Sequence, residues 1–314
     1  MPSPAAQPAQ APTNERPNAR LFHHSIYSPR RIARARARRG LSVSVCLPAR
    51  ECARTVGQIV SRLAPLQAAG ALDEIVVVDA ASRDGTASVA TRAGARVYQQ
   101  AELMPAYGPV LGKGDAMWRA LSVLSGELIC FLDADTESFS AHFLTGLLGP
   151  LLCEPGVSFV KGYYRRPLTA GGLSLADEGG RVNHLVARPA LALFYPPLAG
   201  VRQPLAGEVA ARRSLLERLP FTTGYGVEIG MLIDAWREVG LEGIAQVDLE
   251  EHRNRNQPLA ALTSMALAVL ATIAARLERE GRLIGPASRP VGTGEAQLGS
   301  APVERPPLAG AAVA

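Results

Sequence analysis

The chain has 314 residues, enough for one large domain or two modest domains with a proper core. Apolar residues make up 47% of it and charged residues 19%, a composition that excludes a disordered or fibrous protein. Much of the net charge of +5 lies in 30-RRIARARARR-39. Lysine is sparse and aromatic residues are not interleaved with the basic ones, which argues against a nucleic-acid binder. We therefore interpret 30–39 as a solvated N-terminal arm.

The two ends of the chain lack hydrophobic periodicity. Residues 1–20 and 284–314 are rich in Pro, Ala and Gly, and we expect flexible tails around a single domain at 21–283. The N-terminus has no apolar core of a signal peptide. The cysteines show neither metal-type spacing nor a disulfide framework, so we expect a cytoplasmic location. They are Cys46, Cys52, Cys130 and Cys153.

One apolar stretch, 259-LAALTSMALAVLATIAAR-276, needs a separate interpretation. It is uncharged up to Arg276, but it is short for a membrane span and is rich in alanine and hydroxyl groups. We predict a helix packed within the protein or at a subunit interface, without stable membrane insertion. The helix at 258–280 is a candidate contact of a homodimer, although packing inside one subunit explains the same pattern.

The first half of the chain alternates strand and helix. Its predicted elements, in order, are a strand at 41–48, a helix at 51–63, a strand at 74–80, a turn with Asp84 as candidate helix cap, a strand at 96–99, a helix opening in 112–121 and a strand at 127–133. Such repeats with continuous apolar strands predict an α/β fold: a mostly parallel, Rossmann-like sheet flanked by helices.

The second half is less regular. It offers a strand at 157–164, helices around 181–193 and 228–239, a strand at 244–249, and glycine- and proline-containing loops at 203–213 and 220–230. In parallel sheets, ligands bind outside the carboxyl ends of the strands. Pro48, Asp79 and Asp133 all fall at such ends, which predicts one functional edge.

Two aspartates end the strand in 127-ELICFLDADTE-137. Asp133 and Asp135 are separated by one residue, and their like charges are unfavourable together unless a cation lies between or beside them. A hard divalent ion, Mg²⁺ or Mn²⁺, suits such a pair and completes its shell with water and phosphate oxygens. The alternative is a strand end and turn cap. The position at the end of an alternating sheet favours the metal.

Lys113 lies between two glycines just ahead of a predicted helix. Glycines let the backbone approach a phosphate and the lysine supplies a point charge, although the spacing is not that of a Walker A loop. Asp79 could accept hydrogen bonds from a nucleoside or be a simple turn residue.

These motifs carry a resemblance that spans roughly residues 22–280. The first half resembles a family-2-like glycosyltransferase with the GT-A fold, through 45-VCLPARE-51, 76-VVVDAASRDGT-86, 112-GKGDAMWRAL-121 and 131-FLDAD-135. The second half is similar to the actinobacterial glucosyl-3-phosphoglycerate synthases, through 161-KGYYRRP-167, 180-GRVNHLVARP-189, 203-QPLAGEVAARR-213, 223-TGYGVEIGMLID-234, 245-AQVDL-249 and 252-HRN-254. The second-half motifs are the more specific.

The resemblance implies a retaining, metal-dependent transfer of glucose from an NDP-glucose, with UDP-glucose expected, to 3-phosphoglycerate. Residues 21–137 would form the nucleotide-sugar half and 138–283 the acceptor half. Motif by motif it implies Asp133, Asp135 and His252 as metal ligands; Pro48, Glu51, Asp79 and Ser82 in the nucleoside pocket; Lys113 near the donor; Gly180, Arg181, Asn183 and Asn254 around phosphoglycerate; and Glu228 near the transferred sugar, with Glu228, Asp135 and Lys113 catalytic.

The physical chemistry agrees with these implied roles. Phosphoglycerate carries a phosphate and a carboxylate, which suit the guanidinium of Arg181 at a helix start. Glu228 would stabilise or orient an oxocarbenium-like sugar without becoming a covalent nucleophile. Two departures from the family are Asn183, where threonine is common, and a shortened run before His252.

Two other functions remain open. One is a related GT-A transferase with another sugar or acceptor, such as mannose or a lipid phosphate. The other is a sugar-nucleotide-binding protein without turnover, which the altered region 249–252 keeps open. Turnover of UDP-glucose with 3-phosphoglycerate separates these functions.

Overall fold

The computed structural model of the chain describes residues 20–170, 173–175, 179–253, 259–283 and 302–310, with the backbone alone at 168–170, 173–175, 259–260 and 310. Its strands, in chain order, are β1 (Arg20–His23), β2 (Val43–Ala49), β3 (Glu74–Asp79), β4 (Arg96–Gln99), β5 (Leu128–Phe131), β6 (Phe159–Arg165), β7 (Leu168–Ala170), β8 (Leu173–Leu175), β9 (Val209–Arg212), β10 (Phe221–Thr222), β11 (Ile244–Glu251) and β12 (Glu304–Arg305).

The α-helices connect these strands. They are α1 (Pro29–Arg39), α2 (Val56–Ala68), α3 (Thr86–Arg92), α4 (Lys113–Ala120), α5 (Ala141–Cys153), α6 (Arg188–Phe194), α7 (Arg213–Leu216), α8 (Val227–Val239) and α9 (Leu259–Arg279). Short 3₁₀ turns occupy His24–Ile26, Gln100–Glu102, Pro105–Tyr107, Pro196–Leu198, Gly224–Gly226 and Leu308–Gly310, and a π-helical turn, Asn183–Ala187, runs directly into α6.

Within the described residues, the large sheet has eight strands in the order β1-β11-β6-β9-β5-β2-β3-β4. Neighbouring strands are parallel except for the two pairs that involve β9. Strands β3 and β5 are buried at every position because their residues are nearly all apolar. Alternate side chains of the strands enter two hydrophobic clusters, one on each face. The predicted mostly parallel sheet between helices is confirmed.

Strand β9 positions much of the site. It is antiparallel to β5 and β6 and lies between them, with Val209 opposite both Phe131 and Lys161. The loop that enters β9 is thereby held against the end of β5. Gly207 makes this approach possible, because a Cβ there would overlap the Asp133 carboxylate.

The interpretation of 30–39 as a solvated arm is wrong. These residues form most of helix α1, which Ser28 caps by accepting a hydrogen bond from the amide of Arg31. Ile32 and Ala35 are buried in the same hydrophobic cluster as α5 residues, and the arginines occupy the other faces. The many arginines in the sequence obscured the short apolar face of this helix.

The expected flexible C-terminal tail is wrong for residues 302–310. Strand β12 pairs with β10, and Leu308 is buried in the core. Nε of Arg305 lies 2.5 Å from Oδ1 of the fully buried Asp115. The indole of Trp118 donates to the carbonyl oxygen of Pro306 at 2.8 Å. A buried ion pair and a strand pairing thus hold this segment beneath helix α4.

Helix α9 contains Ala261–Arg279, the single helical stretch in the described part of the chain that is long and apolar enough to cross a membrane by length and composition. Arg276 on this helix is buried and forms an ion pair with Asp234 of α8 and another with Glu304. The helix is therefore tied to the domain by charged as well as apolar contacts.

Candidate active site

The predicted nucleoside residues form one hydrogen-bonded group at the carboxyl ends of β2 and β3. The amide of Glu51 donates to Ser82 Oγ at 2.8 Å, and the amide of Ser82 donates to Asp79 Oδ2 at 3.1 Å. Oδ1 of Asp79 is buried without a partner among the described residues and remains able to accept a hydrogen bond. Pro48 lies beside this group, because it pairs in register with Val78 of β3.

Lys113 bridges two carboxylates from distant parts of the chain. Its Nζ lies 2.6 Å from Asp133 Oδ1 and 2.8 Å from Glu228 Oε1. Burial opposes the charge, but the two carboxylates outweigh it and raise the pKa of Lys113 well above its usual value. The lysine is therefore a permanent cation between the end of β5 and the start of α8.

Asp133, Glu208 and His252 form a group that can hold a metal. One ligand atom from each lies within 4.8 Å of the others. Nδ1 of His252 is buried without a hydrogen-bond partner among the described residues. Two carboxylates and an imidazole with a free nitrogen fit a divalent cation.

The surroundings of Glu208 keep it ionised. Its Oε1 lies 3.2 Å from His252 Nε2, and its Oε2 accepts a hydrogen bond from the Tyr164 hydroxyl at 2.7 Å. Burial alone would raise its pKa, but His252, Tyr164 and Lys113 together lower the pKa of Glu208 to about 2. The Tyr164 ring stacks on His252 with centroids 4.4 Å apart, which fixes the imidazole plane.

Asp135 lies at the rim of this group, where its side chain is exposed to solvent. Desolvation by the surrounding protein and then the neighbouring Asp133 carboxylate raise its pKa, while Lys113 and His252 oppose the rise. The two aspartates thus feel one another's charge, as predicted from their spacing. Asp135 is not a member of the close group formed by Asp133, Glu208 and His252.

The predicted acceptor residues lie on an irregular helix start. Gly180 has the left-handed φ of 71°, and its carbonyl oxygen accepts from the amide of Asn183 at 2.8 Å. Arg181 is in the first helical turn, directly before the π-helical segment, a conformation frequent at functional sites. The buried Asn183 side chain donates to the carbonyl oxygen of Arg202 at 3.3 Å. Asn254 lies outside the described residues.

A cavity of about 320 Å³ adjoins this helix start. It is lined mostly by basic and polar residues of β6 and the segment after it, the helix start with its π-helical turn, α6 and the loop before β9: Tyr163, Arg166, Gly179, His184, Arg188, Arg202 and Gln203. A narrower cavity that also touches Arg166 and Gln203 extends past Gly180 and Asn183 to Ala206, two residues before Glu208. The two cavities make a positively charged path toward the acidic group.

Sequence reasoning missed several side chains of the cleft. Glu208 and Arg202 lie in or beside 203-QPLAGEVAARR-213, and Tyr164 and Arg166 lie in 161-KGYYRRP-167, two stretches singled out without roles for these residues. The available signal was the glycine of 206-AGE-208, which marks a close backbone approach.

The fold and the cleft define a class, a sugar-nucleotide-dependent transferase of the GT-A type. Residues 44–169 match the model of glycosyl transferase family 2. This stretch contains the nucleoside group, Lys113 and both aspartates.

Curated relatives cover most of the chain. The chain is 40% identical over 267 residues to glucosyl-3-phosphoglycerate synthase of Petrotoga mobilis, covering 84% of the chain and 82% of the relative. It is 47% identical over 240 residues to the enzyme of that name in Mycolicibacterium smegmatis, covering 76% and 79%. The chain therefore belongs to the glucosyl-3-phosphoglycerate synthase family.

Solved structures give the same result for the fold. The crystal structure of mannosyl-3-phosphoglycerate synthase from Rubrobacter xylanophilus superposes with a TM-score of 0.83 at 46% identity, covering 92% of this chain and 94% of that one. Glucosyl-3-phosphoglycerate synthase from Mycobacterium tuberculosis, in complex with Mn²⁺, UDP-glucose and phosphoglyceric acid, superposes with a TM-score of 0.80 at 38% identity, covering 93% and 98%. The predicted GT-A fold is confirmed.

Proposed function

We propose that the protein transfers glucose from UDP-glucose to the hydroxyl of 3-phosphoglycerate with retention of configuration, which gives glucosyl-3-phosphoglycerate. The observation that carries the proposal is the juxtaposition of two sites of opposite charge. The acidic group of Asp133, Glu208 and His252 stands at the sheet edge, and the arginine-lined cavity opens beside it. A diphosphate with its cation fits the first site, and a small phosphorylated acid fits the second.

The acidic group fits Mg²⁺ or Mn²⁺. Asp133, Asp135 and His252 would hold the ion, and Glu208 would orient His252 through the 3.2 Å contact with Nε2. When bound, such an ion neutralises charge on the departing diphosphate. Solved relatives contain Mn²⁺ with UDP or Mg²⁺ with UDP, which supports this choice of cation.

Lys113 and Glu228 would act as a pair at the reacting centre. Lys113 would contact the donor phosphates, since its cationic Nζ already stands between two carboxylates at the strand edge. The ion pair to Lys113 keeps Glu228 oriented and lowers its nucleophilicity. Glu228 is therefore suited to stabilise positive charge on the sugar and not to attack it. The acceptor hydroxyl would attack the face that the diphosphate leaves.

The nucleoside would bind against Pro48, Glu51, Asp79 and Ser82. The unpartnered Oδ1 of Asp79 supports this position, because a buried carboxylate oxygen without a donor is costly until a ligand supplies one. The hydrogen bonds that join Glu51, Ser82 and Asp79 hold the pocket ready before the donor arrives.

The acceptor would bind along the positively charged path. Gly180, Arg181, Asn183 and Asn254 would receive 3-phosphoglycerate. The guanidinium groups that line the larger cavity supply the positive charge that a phosphate and a carboxylate need. Arg166 faces both cavities, which supports a continuous acceptor channel.

A donor and acceptor panel tests this proposal. Purified protein with Mg²⁺ is incubated with UDP-glucose or GDP-mannose and with 3-phosphoglycerate, glycerol 3-phosphate or a polyprenyl phosphate, and nucleotide release is measured. We expect UDP release with UDP-glucose and 3-phosphoglycerate. Release without any phosphorylated three-carbon acceptor, or none with any pair, contradicts the proposal.

Mannose transfer is the second candidate. It is supported by the 46% identity to mannosyl-3-phosphoglycerate synthase from Rubrobacter xylanophilus over 92% of the chain. A preference for GDP-mannose in the same panel would establish it, because donor selectivity rests on pocket contacts of about 1–3 kcal/mol.

A homodimer at a cytoplasmic location, without membrane insertion, completes the proposal. Leu185 and Leu193, on the π-helical turn and α6, are 73% and 70% exposed, and Leu270 on the adjacent α9 is 45% exposed. A second copy covering these side chains would bury them, and the Arg276–Asp234 ion pair opposes release of α9 into lipid. Light scattering of the purified chain measures the mass, and a monomer contradicts the dimer.

A further inference from the structure

A second group of metal-binding side chains lies outside the cleft, at the outer edge of the large sheet. It contains His23, His24 and Glu250, whose coordinating atoms all lie within 4.8 Å of one another. The His142 ring contacts that of His24 at a tilt of 32°, so three of the chain's five histidines meet at this place. The proposed transfer reaction uses none of these side chains.

The elements that carry the group are fixed by strand pairing and helix packing. His23 ends the edge strand β1 and pairs in register with Asp248 of β11, two residues before Glu250. His24 packs against Gly146 of α5, where the glycine leaves room for it. His24 begins the 3₁₀ turn that follows β1, and Glu250 lies where the register of β11 shifts, with a left-handed φ of 67°.

The spacing suits two ligands of one ion. Nε2 of His24 lies 2.9 Å from Oε1 of Glu250. Two ligands at zinc–ligand distances of 2.0–2.1 Å in a tetrahedral shell are about 3.3 Å apart, so a small movement admits the ion. Nδ1 of His23 lies 2.8 Å from Ser25 Oγ and accepts a hydrogen bond from the Ser25 amide at 3.2 Å. For Nε2 to bind a metal, Nδ1 must carry the proton and donate it to the Ser25 hydroxyl oxygen, which breaks the bond from the amide.

His142 supports His24 without being a ligand. Its ring centroid lies 4.2 Å from that of His24, and its two nitrogens contact Ser140 Oγ and the carbonyl oxygen of Leu249, each at 3.1 Å. The His142 ring covers one side of the group.

We propose that His23, His24 and Glu250 bind a divalent transition metal ion of the zinc type, which fastens β1 to the end of β11. Two imidazoles and one carboxylate suit zinc, whereas Mg²⁺ prefers oxygen ligands. Glu250 lies two residues before His252. The ion therefore stabilises the strand end that carries His252, and its role is structural.

The test uses the full chain without a histidine tag, stripped of metal by a chelator, in an Asp133→Asn background that weakens the active-site group. Zn²⁺ is titrated at pH 7.5 and its binding is measured by calorimetry. We expect one equivalent of Zn²⁺ to bind and to raise the melting temperature. Glu250→Gln and, separately, His24→Gln in that background should weaken Zn²⁺ binding by at least ~10-fold, because each removes a ligand.

Glu251→Gln is the matched control. It removes the same charge at the next residue, where the side chain pairs with Arg253 and not with the histidines. Zn²⁺ binding should be unchanged in this variant, and circular dichroism of each metal-free variant shows whether it is folded. Equal Zn²⁺ affinity in the Glu250→Gln and Glu251→Gln proteins, or no binding in the Asp133→Asn background, overturns the proposal.

Discussion

On the donor side of the cleft, the candidate side chains lie near the carboxyl ends of parallel strands, and several are hydrogen-bonded to one another. Two hydrogen bonds join Glu51 to Ser82 and Ser82 to Asp79. On the acceptor side, Arg188 lies on a helix, whereas Arg166 and Arg202 lie on loops, and the three line an open cavity. The donor side is thus pre-organised, while the acceptor side selects its ligand mainly by charge. Variants on the two sides should therefore fail in different ways.

Loss of Asp135 should have the largest effect. Asp135→Asn keeps the shape of the side chain but removes a charge beside the proposed cation, and we expect turnover of UDP-glucose with 3-phosphoglycerate to fall by about 10²–10³-fold. Glu137→Gln, an exposed neighbour two residues on, is the control and should retain activity. UDP release measures both. An active Asp135→Asn protein would remove this residue from the donor site.

A variant of Glu208 tests whether the donor side needs this residue to orient His252, a role that the pattern of strand ends in the sequence does not predict. Glu208→Gln keeps the hydrogen bond from Tyr164 but loses the charge beside His252, so the Mn²⁺ concentration for half-maximal activity should rise ~10-fold to 100-fold. Glu217→Gln, where the side chain pairs with Arg213 on a partly exposed helix, is the control. An unchanged Mn²⁺ requirement would contradict the orienting role.

Residues at strand ends could be predicted because parallel strands bring their carboxyl ends to one edge. The apolar runs before Asp79 and Asp133 were enough to predict that both residues lie at this edge. Glu208 could not be found in this way. Its position depends on β9, which enters the sheet antiparallel between β5 and β6, and this pairing is not encoded in the local pattern.

Two further parts of the molecule were hidden for different reasons. In α1 the many arginines obscured the short apolar face formed by Ile32 and Ala35. The charge of the segment was therefore interpreted as a sign that all of it is exposed to solvent. At the C-terminus, β12 has two residues, and its partner β10 lies over 80 residues earlier. A strand so short has no periodicity to detect.

On the acceptor side, Arg188→Ala should raise the KM for 3-phosphoglycerate while leaving the KM for UDP-glucose nearly unchanged. A hydrogen bond to a charged group contributes about 1.5–3 kcal/mol, which corresponds to at least a ~10-fold increase. Arg218→Ala removes an arginine that pairs with Glu238 on the exposed surface and serves as the control. Steady-state kinetics with each substrate varied in turn separates the two constants. Equal increases for both substrates would place Arg188 outside the acceptor path.

The C-terminal segment supports the donor side, because Arg305 contacts α4, the helix that begins at Lys113. Arg305→Ala leaves Asp115 with Arg119 but without its second cation, and should lower the free energy of unfolding by about 1–3 kcal/mol in urea. Arg279→Ala removes a half-exposed arginine that pairs with Glu304 and should cost about 0–1 kcal/mol. Equal losses in the two variants would show that the buried Arg305–Asp115 pair stabilises the fold no more than the half-exposed Arg279–Glu304 pair does.

Lys161 lies under the boundary between the two sides, where its effect should appear only as a change of stability with pH. Its buried Nζ donates to the carbonyl oxygen of Ala206 at 2.6 Å. Burial lowers its pKa to about 8, although Glu228 and other carboxylates oppose the shift.

Between pH 8 and about 10.4, Lys161 of the unfolded chain keeps a proton that the folded chain has lost, so folded stability should rise with pH by at most ~1.4 kcal/mol per unit. In Lys161→Met, which has no titrating group, this contribution is absent. Urea unfolding of both proteins at pH 8, 9 and 10 measures the difference. If the unfolding free energies of the two proteins change equally with pH, Lys161 stays protonated in the folded chain. The nearby carboxylates would then outweigh the effect of burial on its pKa.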